Sequence, residues 1–142
     1  MNAPQIIQGG NYKDHRGQVT FNNQFDLTPI KRMYFTEHFS TDAVRAWQAH
    51  DIERRWFVCA QGAFEIKLVA IDNFSDPSDN LEVLNYRLES ENGNVLCIPK
   101  GYANGFRALE NNSKLMIFSD YEFGANPNDQ YRFDKSKWTV WN

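Results

Sequence analysis

The sequence has little that would demand a covalent or metallic staple. Its two cysteines, Cys59 and Cys97, sit in separate apolar runs and form no Cys-x-x-Cys pair. They read as buried free thiols in a reducing compartment. There is no excess of basic residues: 15 Lys and Arg stand against 18 Asp and Glu, a net charge of −3. A general nucleic-acid binder is usually basic, so that class is disfavoured, and the charges are mixed with no acidic or basic tail. No apolar run approaches the roughly 20 residues that a membrane helix needs. The start, Met1 to Gln5, lacks the basic and apolar regions of a signal peptide. A soluble cytoplasmic protein without nucleic-acid or membrane partners is expected. Helical periodicity is weak throughout, and repeats, low-complexity segments and linkers are missing.

What the chain does have is aromatic residues and alternation. Eleven Phe, six Tyr and four Trp favour pleated, half-buried surfaces. Phe64, Ile66, Leu68 and Ala70 fall on one face of a half-buried strand, with Glu65 and Lys67 on the other. Val83, Asn85 and Arg87 alternate in the same way with Leu84, Tyr86 and Leu88. Further strands are expected at 18–22, 30–36, 55–60, 95–98, 105–108 and 114–119. Polar turns separate them, among them Gln61-Gly62 and Glu91-Asn92-Gly93-Asn94. Many short strands with polar turns predict an all-β sandwich or barrel. The length of 142 residues fits one domain, with a core over about 14–122 and an extension over 123–142 that forms a short helix or lies across the barrel.

Two stretches carry the chemistry. Arg45-Ala46-Trp47-Gln48-Ala49-His50 is followed twelve residues later by Gly62, and Gly93 precedes Pro99-Lys100-Gly101-Tyr102-Ala103-Asn104. This is the spacing of the paired motifs of a cupin, a jelly-roll barrel (double-stranded β-helix) that bears its site on its inner wall. The four positions where a metal-binding cupin places its ligands fall at Gln48, His50, Arg54 and Asn104. One imidazole with two amides and a cation is a poor transition-metal site, so no metal and no other cofactor is expected. Residues two apart in a strand face the same way, which puts Gln48, His50 and Arg54 together inside the barrel. Two cations and an amide in an interior call for water or an anion, and arginine's planar fork suits phosphate. A single His near charged residues is also a common structural residue, and His15 and His38 read as surface residues. In Ile30 to Phe35, Lys31 and Met33 share one face and Arg32 and Tyr34 the other.

The ordered set Asp14-x-Arg16-Gly17, Ile30-Lys31-Arg32-x-Tyr34, Arg45-x-x-x-Ala49-His50 and Ile98-Pro99-x-Gly101-Tyr102-Ala103-x-Gly105-Phe106 resembles the dTDP-sugar epimerase and isomerase branch of the cupins. The pattern is most similar to the dTDP-4-keto-6-deoxyhexose 3,4-ketoisomerases and is related to the dTDP-4-dehydrorhamnose 3,5-epimerases. The resemblance implies a homodimer, metal-free catalysis and a dTDP-sugar held by arginines. It implies that Arg45 binds phosphate, that Arg16 serves a partner subunit's site, and that Tyr34 lies on an active-site strand. His50 matches the second His of the ketoisomerase segment. Gln48 stands where that segment has its first His, and Asn104 where the epimerase turn has a His. The implied reaction moves a carbonyl along a hexose through an enediol. Its expected parts are His50 as base, Gln48 and Tyr34 as donors, Tyr121 as a second acid, and Arg45, Arg16, Arg54 and Asn104 as binding residues. A non-catalytic barrel that binds a sugar or nucleotide sugar is the open alternative, and a metal-dependent cupin a weaker one.

Overall fold

The computed structural model describes residues 3–141. Twelve strands carry the fold: β1 (Gln5–Ile7), β2 (Gly10–Asp14), β3 (Gly17–Phe21), β4 (Arg32–His38), β5 (Val44–His50), β6 (Arg55–Gln61), β7 (Ala63–Ala70), β8 (Leu84–Glu89), β9 (Val95–Ile98), β10 (Tyr102–Ala108), β11 (Ser113–Ser119) and β12 (Tyr131–Arg132). One sheet has the order β1-β9-β6-β11-β4, and the other β12-β5-β10-β7-β8; β2 and β3 form a separate hairpin. Every pairing is antiparallel. No helix occurs among the described residues. The expected jelly-roll class is the one observed.

The core lies between the two sheets. Phe57, Phe64, Ile66, Leu68, Leu88, Leu96, Phe106, Leu115 and Ile117 meet there. β7 delivers Phe64, Ile66 and Leu68 to this core by strict alternation, as expected; Ala70 shares their parity but is exposed at the strand end. Leu84, Tyr86 and Leu88 of β8 also face inward.

Other strands are apolar on both faces, because both sheets are covered outside as well. The outer face of the first sheet buries Trp56, Val95, Cys97 and Phe118 under Phe25 and Ile30. This explains the unbroken apolar runs 56–59 and 95–98, which a sheet wetted on one side would not need. Both cysteines are free and buried, and burial pushes the Cys59 thiol up to about 12. The outer face of the second sheet buries Trp47, Ala49, Val69 and Ala103 under the C-terminal segment. That segment lies across the barrel and does not turn helical. Trp47 Nε1 donates to the Lys137 carbonyl at 3.0 Å, and the Trp47 and Phe133 backbones exchange hydrogen bonds.

Each expected strand is observed within a few residues, β1 and β2 lie outside the expected set, and two further differences bear on the site. β4 runs two residues beyond its expected end, to His38. β12, in the segment read as an extension, is a strand paired to β5 beside the motif, Tyr131 with Ala49 and Arg132 with Gln48.

Candidate active site

β5 carries the first motif, and its alternation is broken once. Asn104 of β10 pairs with Gln48, whereas Phe106 pairs with Arg45, so three steps of β5 oppose two of β10. This β-bulge changes the parity of the strand. Arg45 and Gln48, which strict alternation would put on opposite faces, both reach the inner side. Gly105 sits opposite the bulge, where a Cβ would come within 2.7 Å of the Ala46 Cβ and 2.9 Å of the Trp141 ring. Glycine there permits the close approach that the bulge requires.

Inside this wall the core stops short and leaves a cavity of about 340 Å³. Phe57, Phe106 and Ile117 line it on the apolar side; Tyr34, Thr36, Gln48 and Asn104 supply polar groups; Arg45, Arg55 and Arg132 supply charge. Among the described residues no carboxylate lines it. The cavity therefore concentrates positive potential in a space large enough for part of a small-molecule ligand.

The arginines differ in their freedom. Arg55 is buried and committed: its Nη1 donates to Glu53 Oε1 at 2.8 Å, to Ser119 Oγ at 2.9 Å and to the Arg54 carbonyl at 3.2 Å. Burial would raise the Glu53 carboxyl, but hydrogen bonds from Asn126, Arg55 and Ser119 outweigh it and hold Glu53 below its ordinary value. Arg45 and Arg132 form no ion pair among the described residues.

His50 lies one inward position beyond Gln48 and is buried. Its Nδ1 donates to the Asp129 carbonyl at 2.7 Å, which places the lone pair on Nε2. Nε2 is itself buried without a hydrogen-bond partner. Burial first, and then the charge of Arg55, hold the imidazole below its usual value, against the opposing pull of Asp129 and Glu53. His50 is thus neutral near pH 7 with an unused lone pair. It is not among the residues that line the cavity.

The corner 51–54 that joins β5 to β6 is built by Asp129. Its carboxylate accepts the backbone N–H groups of Asp51, Ile52 and Glu53 at 2.7, 3.0 and 2.9 Å. This corner corrects one expectation. Arg54 does not share the interior with Gln48 and His50; it stacks over Trp56 and pairs with Asp120 at 3.0 Å on the outside. The corner interrupts the strand parity, so the interior place falls to Arg55. The ligand atoms of His50, Glu53 and Asp129 lie within 4.8 Å of one another. However, the Asp129 oxygens are spent on three N–H groups and Glu53 on a guanidinium, so this donor set does not fit a divalent cation.

Of the remaining expected residues, Tyr34, Gln48, Arg45 and Asn104 converge on the cavity. Tyr121 and Arg16 do not line it: Tyr121 lies at the surface, and Arg16 sits at the β2–β3 turn, bonded to Asp14. His15 is exposed as expected. His38 is not a surface residue: it is only 2 % exposed, packed on Phe64 and Phe106, and its Nε2 accepts the Arg45 Nε–H at 3.2 Å. The inward parity of Tyr34 and Thr36 carries on to it.

Comparison with known proteins places this geometry in a family. The family described as FdtA: WxcM-like, C-terminal matches residues 2–139. The chain belongs to the WxcM-like, C-terminal family. No curated protein sequence matches it. Among solved structures, the chain is similar to a dTDP-4-dehydrorhamnose 3,5-epimerase from Bacillus anthracis with TDP and PPi bound (18 % identity, 97 % of this chain and 84 % of that one, TM-score 0.76). It is also similar to a 3,4-ketoisomerase from Helicobacter canadensis (20 %, 94 % and 92 %, TM-score 0.70). A third is a mutant of the 3,4-ketoisomerase QdtA from Thermoanaerobacterium thermosaccharolyticum, in complex with TDP-4-keto-6-deoxyglucose (18 %, 92 % and 87 %, TM-score 0.69). At these identities the likeness establishes the fold. The branch that the four motifs resemble is the one these comparisons return.

Four residues of this WxcM-like site escaped sequence reasoning: Arg55, Arg132, Asp129 and His38. Arg132 carries the one local signal among the first three, since Tyr131-Arg132-Phe133 alternates like a strand. Arg55 and Asp129 gain their places from the corner 51–54, which leaves no local pattern.

Proposed function

We propose that the chain is a nucleotide-sugar isomerase or epimerase that acts on a dTDP-linked 4-keto-6-deoxyhexose, in the manner of a 3,4-ketoisomerase of deoxysugar and polysaccharide biosynthesis. The observation that carries this reading is the cavity lined by three arginines and, among the described residues, no carboxylate, with a neutral imidazole bearing a free lone pair two residues along β5 from Gln48. Family membership and the TDP and TDP-4-keto-6-deoxyglucose bound to two structures of the same fold support it.

In this reading Arg45 and Arg132 hold the pyrophosphate, with Arg55 adding fixed positive charge. Binding energy at this remote end orients the sugar. His50 Nε2 takes the proton on the carbon beside the ketone. The electron pair of that C–H bond forms the enediolate, and the oxyanion is met by donors from Tyr34, Gln48 and Asn104. The proton returns at the neighbouring carbon while the hydroxyl on the first carbon gives up its proton and the former carbonyl oxygen takes one, so the carbonyl moves with no net loss of atoms or electrons. Asp129 keeps the imidazole in the tautomer that can act as a base. The reading is metal-free, cytoplasmic and homodimeric, with Arg16 serving the partner subunit's cavity.

A second reading has its own observation. His50 does not line the cavity, and the wall there is made of Gln48 paired across the register with Asn104. Amides neither take up nor release a proton at neutral pH, so this arrangement suits a barrel that binds a nucleotide sugar without turning it over. One experiment separates the two. The protein is incubated with dTDP-4-keto-6-deoxyglucose in heavy water, and deuterium in the sugar is followed by NMR. Uptake that disappears in His50→Ala supports the isomerase, and Gln48→His should raise it. Binding with no uptake across several 4-keto sugars supports the second reading.

A further inference from the structure

Among the described residues, one hydrogen bond holds the Arg45 guanidinium. Its Nε donates to His38 Nε2 at 3.2 Å, and its Nη groups have no hydrogen-bond partner among the described residues. An imidazole nitrogen that accepts must be unprotonated, so the His38 ring proton lies on Nδ1. That Nδ1 is buried and has no partner. A buried N–H left unpaired is costly, and a phenylalanine between Phe64 and Phe106 would avoid the cost. Packing therefore does not account for a histidine here; its acceptor does.

We propose that His38 is the positioning residue for Arg45: its neutral Nε2 takes the Arg45 Nε–H and aims the free end of the guanidinium at the pyrophosphate of a nucleotide sugar, an alignment that protonation of His38 abolishes. The proposal rests on reading the cavity as a nucleotide-sugar site. A fixed Nε leaves the paired Nη donors to meet an oxyanion with less orientation to lose on binding. Once His38 is protonated, the acceptor is gone and two cations face each other. Arg45 on β5 is the charged group that bears on His38; β7 and β10 present Phe64 and Phe106, and β11 pairs it with Ser113, whose hydroxyl donates to the Glu110 carbonyl. Glu37, the next residue along β4, is exposed on the other face. Burial, and then Arg45, keep the ring neutral at pH 7, so the alignment fails only in acid.

The test uses dTDP-glucose, whose pyrophosphate diester does not itself titrate between about pH 5 and about pH 8, and calorimetry across that range. Wild-type affinity should fall towards acid as His38 takes up a proton, by about tenfold once the ring is fully charged, the equivalent of losing one good hydrogen bond to a charged group. His38→Gln, which offers an acceptor that does not titrate, should bind like wild type at the alkaline end and lose much of the acid dependence. His38→Phe, which keeps the ring packing, should bind about tenfold more weakly at every pH. Equal affinity of His38→Phe and wild type, or an unchanged profile in His38→Gln, would overturn the proposal. A readout independent of ligand is nitrogen-15 NMR of the histidine rings, with the His38 signals assigned by their loss in His38→Gln. A neutral ring with its proton on Nδ1 is expected near pH 7; a charged ring or the other tautomer overturns the proposal. A correct tautomer with no dTDP-glucose binding by wild type would instead refute the nucleotide-sugar reading, and with it the pyrophosphate as the target of Arg45.

Discussion

Replacing Asp129 by alanine should damage this protein more than any change at its surface. Asp129 is 2 % exposed, and its carboxylate accepts the N–H groups of Asp51, Ile52 and Glu53. Each donor left without a partner costs about 1–3 kcal/mol. Two of the three are only part-buried and can recover some of that from water, so the sum comes to about 3–6 kcal/mol. Against a total stability of about 5–15 kcal/mol, that is a large share. At this chain length about 4 °C accompanies each kcal/mol, which puts the loss at roughly 12–24 °C in Tm. Asp129→Asn keeps one oxygen but turns an NH₂ towards a backbone donor, and should lose about half as much. Urea unfolding monitored by tryptophan fluorescence measures both. A loss below about 1 kcal/mol in Asp129→Ala would refute the claim that this carboxylate builds the corner.

The other predictions follow from the cavity and its walls. Arg45→Ala and Arg132→Ala should each weaken dTDP-glucose binding about 10–100-fold, as expected for charge-assisted hydrogen bonds, whereas Arg54→Ala, outside the cavity, should not; calorimetry at pH 7 reads this. His50 and His38 both sit below their unfolded values, so the stability tied to their neutral forms is complete above about pH 6.5 and is lost as pH falls through the folded values. Urea midpoints that stay flat from about pH 8 to about pH 5 would contradict this. Gly105→Ala forces a methyl against Ala46 and Trp141 and should cost about 1–3 kcal/mol by overpacking, again read by urea unfolding.

The sequence is a good guide wherever one rule acts alone. Alternation marks β7 and β8 because each buries one face against the core, and β9 reads as a strand from its apolar run. Arg45, Gln48, Tyr34 and Asn104 are legible as cavity residues because the spacing of the paired motifs carries them. It fails where two rules compete. Strict alternation sets Arg45 against Gln48, and only the bulge opposite Gly105 reunites them. The same alternation, carried across a corner that Asp129 breaks, assigns Arg54 the place that Arg55 holds. His38 was hidden by ending β4 two residues early. Arg132 and Asp129 were hidden because their partners lie about eighty residues back along the chain, a separation that no local window spans.

The docking of the C-terminal segment has a consequence for synthesis. A chain that has emerged only through β11 holds every strand of both sheets except β12. It still lacks Arg132 at the cavity, the Asp129 acceptor for His50, and the cover over Trp47. The strands that frame the cavity thus precede two parts of the site, Arg132 and the Asp129 acceptor, along the chain. A nascent chain leaves Trp47 uncovered and the His50 Nδ1–H without its acceptor until residues 129–141 settle onto β5.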